Sequence, residues 1–124
     1  ATLAGHVEVD DHVTLGAFTV VHQFCAVGRF AFTAMGTFVL KDVPPYVTAS
    51  VNSASPHGIN SEGLRRAGFS SPQILALRRA YKTVYKKGLT VEQAVAELER
   101  EFESEEHVHP WVSFLRKSSR GIIR

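Results

Sequence analysis

Residues 3 to 44 repeat every six positions, and no other property of the chain narrows its fold as far. Written as hexads, the stretch reads LAGHVE, VDDHVT, LGAFTV, VHQFCA, VGRFAF, TAMGTF, VLKDVP. Leu3, Val9, Leu15, Val21, Val27, Thr33 and Val39 hold the first place, and Val7, Val13, Thr19, Cys25, Ala31, Thr37 and Val43 hold the fifth. Six is neither the helical nor the simple strand period. One aliphatic and one small residue per short unit predicts a parallel β-helix, in which each hexad makes one flat side and three close a triangular coil. The first place then points inward and stacks on the residue three hexads later.

Seven hexads make about two and a third coils, fewer than the roughly three repeats such a stack needs. The repeat is already in phase at Ala1, where the first strands would present unpaired edges. The sequence is therefore expected to be the C-terminal part of a longer protein.

With 44% hydrophobic residues among 124, the chain has ordinary globular character, enough for one core and a small appended unit. It contains no apolar run near the length of a membrane span. Cys25 is the single cysteine, so no internal disulfide forms and a reducing cytoplasm is the expected setting. A net charge of +2 gives no argument for nucleic acid.

The organisation changes at Pro44-Pro45. The adjoining YVTASVNSASPHGIN reads as an extended connection leaving the β-helix. Ser71 with Pro72 is expected to open a helix striped by Ile74, Leu77, Tyr81, Val84 and Tyr85 and stopped at Gly88. Thr90 with Gln93 forms a capping-box pair for a second helix, striped by Val91, Ala94, Val95, Leu98 and Phe102. A third begins at Pro110 and buries Trp111, Phe114 and Leu115. These three helices are expected to pack together over the open end of the β-helix. The division falls into a hexapeptide-repeat unit with its exit loop, residues 1–57, and a helical unit, residues 58–124.

Charge divides unevenly between the helices. Arg65, Arg66, Arg78, Arg79, Lys82, Lys86 and Lys87 occupy a stretch free of acidic residues, while Glu97, Glu99, Glu101, Glu103, Glu105 and Glu106 crowd the next. The acidic run suits a solvated face paired to the basic one; the basic stretch suits either solvation or an acidic partner. Among the histidines, His6 and His12 fill the fourth place of successive hexads and His22 the second place of its own. On spacing, these three are expected on different sides of the prism, where they cannot converge on a metal within one chain.

The runs TLAGHVEVDDHVTLGAFTVVHQFCAVG, KDVPPYV, INSEGLRRAGFS and ALRRAYKTVYKKG, closing with SSRGIIR, resemble the bacterial UDP-N-acetylglucosamine acyltransferases. The resemblance runs collinearly through essentially the whole chain. It implies a left-handed parallel β-helix followed by an α-helical C-terminal domain, and a cytoplasmic homotrimer with active sites in the clefts between subunits. The implied reaction is transfer of an (R)-3-hydroxyacyl group from acyl carrier protein to the 3-hydroxyl of UDP-N-acetylglucosamine, the first step of lipid A biosynthesis. No metal or bound cofactor is implied, since the phosphopantetheine belongs to the carrier. A sibling hexapeptide sugar N-acyl- or acetyltransferase and a trimeric scaffold without activity are the alternatives; the sibling is not expected to carry VHQFC together with EGLRRAGFS, and the scaffold is favoured only where the full-length protein lacks a histidine about one coil before His6.

The resemblance also implies roles. Gly5 is similar to the glycine whose backbone N–H stabilises the thioester oxyanion, where a donor matters because charge develops on that oxygen. His6 resembles the histidine that positions the sugar nucleotide, and His22 with Gln23 resembles the pair lining the same cleft. Asn60, Glu62 and Arg66 match the NxEGLxR pattern that contacts acyl-pantetheine or nucleotide, and Arg66 has the fork geometry for phosphate. Met35 and Ser53 stand where the acyl groove is bounded and serve as the chain-length ruler. Arg65, Arg78, Arg79 and Lys82 are expected to dock the acidic carrier. The family's general-base histidine and its orienting aspartate match no residue here; on this reading they precede Ala1, and these residues alone bind and stabilise without completing the reaction. Ala17 departs from the pattern, standing where many members have the second glycine of a pair.

Overall fold

A computed structural model describes residues 1–118 and 120–124, so Ser119 of the SSRGIIR run lies outside the described residues. Seven two-residue strands recur at the predicted period: β1 (Thr2–Leu3), β2 (Glu8–Val9), β3 (Thr14–Leu15), β4 (Val20–Val21), β5 (Ala26–Val27), β6 (Phe32–Thr33) and β7 (Phe38–Val39). Strands three units apart pair in parallel, Thr2 with Val20, Glu8 with Ala26, Thr14 with Phe32 and Val20 with Phe38. This registers a triangular prism with three faces: β1-β4-β7, β2-β5 and a third of β3-β6 extended by β8 (Val47–Ser50) and β9 (Ser55–Ile59).

The hexad places sort as period two within each strand demands. First-place Val21, Val27, Thr33 and Val39 and fifth-place Thr19, Cys25, Ala31 and Thr37 are buried. The threonines inside are satisfied by Thr19 Oγ1 to Thr33 Oγ1 at 2.9 Å and Thr37 Oγ1 donating to Ala34 O at 2.7 Å. Leu3 and Val9, in the first coil, are exposed at 47% and 40%.

The repeat changes phase in its third coil. The His22 N–H donates to Val39 O, 17 residues on, but Gly28 N–H donates to Val43 O, only 15 on, and Val43 bridges to Val27. Two residues are therefore missing from the turn after β7, and Val43, expected at the fifth place, takes the register of a first place. The C-terminal tail fills the shortened corner: Asp42 N–H donates to Gly121 O and Ile123 N–H to Asp42 O, with Ile122 bridged to Asp42. The Asp42 carboxylate is spent inside this joint, accepting from Ala26 N–H at 2.8 Å and from the Ser118 hydroxyl.

The run after Pro45 is not a free connection. β8 (Val47–Ser50) continues the third face beside β6, and β9 (Ser55–Ile59) turns back antiparallel to it. A short helix that the apolar pattern does not reveal comes next, α1 (Ser61–Arg66), capped by Asn60. α2 (Ser71–Tyr85) is capped by Ser70, one residue earlier than expected, because the Ser70–Gln73 capping box outcompetes Ser71; Pro72 falls at the second position, where its missing N–H costs nothing. α3 (Val91–Glu101) carries the predicted Thr90–Gln93 box. A 3-10 turn (Glu106–Val108) leads into α4 (His109–Lys117), which buries Trp111 and Leu115 but leaves Phe114 half-buried.

The helices do not all cap the end of the prism. β9 covers the last edge and α2 packs on β9, with Gly58 N–H donating to Tyr81 Oη at 2.9 Å. Tyr46 Oη donates to His107 O at 2.8 Å and ties the prism to the 3-10 turn. α4 instead lies alongside the second face, because the tail beyond it must return to Asp42.

Candidate functional site

Gly5, His6, His22 and Gln23 meet at one corner of the prism, between its first and second faces. Their two turns lie three hexads apart, and three hexads are one full coil, so His6 and His22 share a corner and do not occupy the separate sides expected from spacing. His12 alone is on the next corner, between the second and third faces. Phe24 N–H donates to Gly5 O at 3.1 Å and locks the second coil's turn onto the first.

The fourth place of these turns has left-handed backbone, φ +58° at His6 and +66° at Phe24, a region that non-glycine residues occupy sparingly. This puts each fourth-place ring over the one a coil below. The His6 and Phe24 rings stack at 4.8 Å with planes 1° apart. Sequence reasoning passed over Phe24, although a histidine with phenylalanine 18 residues later occurs twice, at His6 and His12.

Beside this corner lies a cavity of about 760 Å³ between the second face and α4. His6 and Phe24 form its edge, Glu8 and Ala26 its floor, and Ser113, Phe114 and Lys117 its helical wall. Among the described residues no backbone carbonyl accepts from Gly5 N–H, and a Cβ at Gly5 would meet nothing within 4 Å. His22 Nδ1 donates to Gln23 O at 3.1 Å, which holds the ring and leaves Nε2 free for a ligand. The corner thus brings together an amide donor with no backbone partner among the described residues and two imidazoles, one of them held by Gln23 O.

The remaining predicted residues are not brought to this corner. The turn carrying Met35 sits over Ala17, as Gly36 N–H donates to Ala17 O at 2.8 Å, on the corner between the third and first faces. Ser53 lies in the later turn tied to Phe38 by Ala54 N–H. Both are exposed, Met35 at 74%. Asn60 is committed to structure: its side chain donates to Phe30 O at 3.0 Å and accepts from Gly63 N–H at 3.1 Å. A Cβ at Gly63 would strike that amide, which accounts for Asn and Gly in the INSEG run. On α1, Glu62 pairs with both Arg65 and Arg66, at 3.5 and 3.3 Å in open solvent.

The basic helix is unevenly free. Arg79 binds Glu101 at 3.0 Å and lies over the Phe102 ring, and Arg78 donates to Ser61 Oγ at 3.0 Å. Arg116 to Glu99 and Lys87 to Glu101 add further links to α3. Lys82 is exposed and forms no ion pair among the described residues.

Burial pushes the Cys25 thiol up, with the Asp42 carboxylate adding to it, so it stays protonated and unreactive. Tyr46 is pushed up to about 12, chiefly by burial. Among the described residues no three His, Cys, Asp or Glu side chains gather to hold a metal ion, and no helix is long and apolar enough to cross a membrane.

A family model described as Udp N-acetylglucosamine O-acyltransferase, domain 2, matches residues 42–123. The acyl-[acyl-carrier-protein]–UDP-N-acetylglucosamine O-acyltransferase of Janthinobacterium sp. (strain Marseille) is 52% identical over all of this chain and 49% of its own length. The same-named protein of Thiobacillus denitrificans is 49% identical over all of the chain and 48% of its own. Of solved structures, LpxA from Acinetobacter baumannii superposes with a TM-score of 0.95 at 42% identity, covering 98% of this chain and 48% of that one. Francisella novicida UDP-N-acetylglucosamine acyltransferase gives 0.94 at 40%, covering 98% and 45%. The chain spans about half the length of the relatives it matches.

Proposed function

Because the chain belongs to the UDP-N-acetylglucosamine O-acyltransferase family, we propose that it serves in moving an (R)-3-hydroxyacyl group from acyl carrier protein to the 3-hydroxyl of UDP-N-acetylglucosamine, the first step of lipid A biosynthesis. The single observation that carries this reading is the convergence of Gly5, His6, His22 and Gln23 at one corner beside a cavity. In the reaction the sugar oxygen attacks the thioester carbonyl, the C–O bond forms and the C–S bond breaks. The hydroxyl proton passes to a base and the thiol leaves with a proton.

Gly5 N–H has no backbone partner among the described residues and no side chain stands at its Cα to block an approaching oxyanion; such a donor is worth about 2.7–4 kcal/mol of transition-state stabilisation. His6, His22 and Gln23 hold the sugar nucleotide. Met35 and Ser53 bound the acyl groove, Glu62 and Arg66 meet pantetheine or nucleotide, and Asn60 acts through the α1 cap it maintains. The nucleotide and acyl groups stand at different corners of the prism and the third group on α1, and we place the finished site between copies, in a homotrimer of left-handed β-helices built from residues 1–57 with residues 58–124 as the helical unit. Arg65, Arg78, Arg79 and Lys82 receive the carrier, with Lys82 the most available. The protein works in the cytoplasm, and its acyl donor brings its own phosphopantetheine.

The test is an acyl-transfer assay on the full-length natural protein with 3-hydroxyacyl carrier and UDP-N-acetylglucosamine, read by mass spectrometry. An O-acylated nucleotide that disappears in His6→Ala supports the reading. Transfer to an amino group, or no product with folded wild-type protein, overturns it.

A further inference from the structure

The fourth-place turns of the prism hold two histidine–phenylalanine pairs in the same left-handed backbone, and they meet different fates. Phe30, over His12, is 7% exposed, because Tyr46 and Phe69 close over it with centroids 6.1 and 5.1 Å away. Phe24, over His6, is 55% exposed. The third coil turns two residues early above it, and among the described residues no ring other than His6 stacks on it. An aromatic ring left this open gains little from burial, and its backbone conformation is one that side chains take reluctantly. What it does have is a coplanar face against His6 and a place on the rim of the cavity.

Parallel stacking restrains an imidazole in one specific way. It fixes the plane of the ring while leaving its edge, which carries both nitrogens, unobstructed. Among the described residues His6 makes no side-chain hydrogen bond that would otherwise set the plane; its neighbour His22 is held by Gln23 O. The Phe24 N–H bond to Gly5 O at 3.1 Å fixes the spacing of the two rings and, through the same peptide segment, relates the ring plane to the Gly5 amide.

We propose that Phe24 is a positioning residue that acts through His6, setting the imidazole plane so that its edge presents to the sugar nucleotide in the cavity. This rests on the reading of His6 as a nucleotide-binding residue. Phe24 contributes no hydrogen bond to the ligand; it reduces the number of orientations from which His6 must be recruited, and so acts on affinity.

The experiment is a double-mutant cycle on the full-length natural protein, with UDP-N-acetylglucosamine titrated calorimetrically. Phe24→Leu keeps an apolar side chain of similar length but no flat face, and should weaken binding by about three- to tenfold. Phe24→Tyr should bind as wild type does. In a His6→Ala background, Phe24→Leu should cause no additional loss, since there is no ring left to orient. An equal loss with and without His6 overturns the inference, as does an unweakened Phe24→Leu. A crystal structure of Phe24→Leu supplies a readout independent of the ligand: a His6 ring still in its original plane overturns the inference even where the nucleotide binds. Wild-type protein that fails to bind the nucleotide refutes the function instead, and leaves the ring plane in that structure as the deciding measurement.

Discussion

Two neighbouring corners of the prism are built alike and end as different things. At one, His6 stacks on Phe24; at the next, His12 stacks on Phe30, with centroids 4.8 and 4.7 Å apart and the same left-handed turns. The repeat makes them equivalent, and the non-repeating chain beyond Pro45 separates them. Tyr46, Phe69 and the Asn60 bond to Phe30 O seal the second corner into the joint with the helices. The first receives only the tail pairing at Asp42 and stays open beside the cavity. A repeat thus supplies several copies of one geometry, and the rest of the chain assigns which copy is core and which stays open.

The largest expected difference between the corners is in stability. Phe30→Ala removes a buried ring from a packed aromatic cluster and should cost about 3–5 kcal/mol. Phe24→Ala removes a mostly exposed ring and a stack, and should cost under about 1.5 kcal/mol. Urea unfolding of the two variants measures both, and equal losses would mean that the open corner is as much core as the closed one.

Glycine substitution sharpens the contrast at a smaller scale. A Cβ on Gly28, at the closed corner, would stand 2.5 Å from Pro45 N, with the proline ring at 2.7 Å, and neither can yield without moving backbone. Gly28→Ala should destabilise by about 1–3 kcal/mol. A Cβ on Gly5, at the open corner, meets nothing within 4 Å, and its backbone is not left-handed. Gly5→Ala should leave stability within about 0.5 kcal/mol, so any loss of transfer by that variant is chemical in origin. A Gly28→Ala protein as stable as wild type would show that the coils can separate here more easily than their contacts suggest.

This asymmetry between corners was only half legible in the sequence. The hexads gave face, register and burial of Val21, Cys25, Val27 and Val39, because a period that repeats seven times averages out single exceptions. They also allowed His6 and His22 to be placed together by counting three hexads, a step that comparing adjacent hexads alone obscures. The phase slip before Val43 left no trace, since Val43 and Val47 are apolar whichever register they take. α1 was hidden for a different reason: six residues carry one buried side chain, Leu64, and so no stripe. The wrapping of α4 along the second face depends on Asp42 recruiting the tail, a contact between residues 76 or more apart that no local pattern encodes. Site residues at Gly5, His6 and Gln23 came from resemblance, and their convergence came from the fold.

Alkaline pH should act on the closed corner through Tyr46. Burial raises the Tyr46 phenol to about 12, while in an unfolded chain it titrates near about 10. The folded state therefore holds a proton that the unfolded state releases, so the contribution is whole below about pH 10 and falls as pH rises toward about 12. At neutral pH, Tyr46→Phe should cost about 1 kcal/mol through the lost bond to His107 O. Between about pH 8 and pH 11 the wild type should lose about 1.4 kcal/mol relative to the variant, which more than offsets that deficit and leaves Tyr46→Phe about 0.4 kcal/mol the more stable, because only the wild type carries the phenol. Comparing the two proteins cancels the other tyrosines and lysines. A deficit constant across that range would mean that the hydroxyl is not sealed in the joint.

The smallest expected effect is also the one that most directly separates the corners. His12 is exposed, stacked on Phe30 as His6 is on Phe24, and stands on no cavity edge that His6 lines. His12→Ala loses one face-to-face contact at the rim of a ring that Tyr46 and Phe69 continue to hold, so the cost should be about 0.5 kcal/mol, the low end for an aromatic pair. Nucleotide affinity should be unchanged. His6→Ala should be similarly mild in urea, because the stack it removes is equivalent, yet it should weaken nucleotide binding clearly. Two histidines with the same local geometry and nearly the same contribution to folding then differ only in what lies in front of them. If His12→Ala weakens binding as much as His6→Ala does, the ligand reaches both corners, and the division between a closed structural corner and an open binding corner fails.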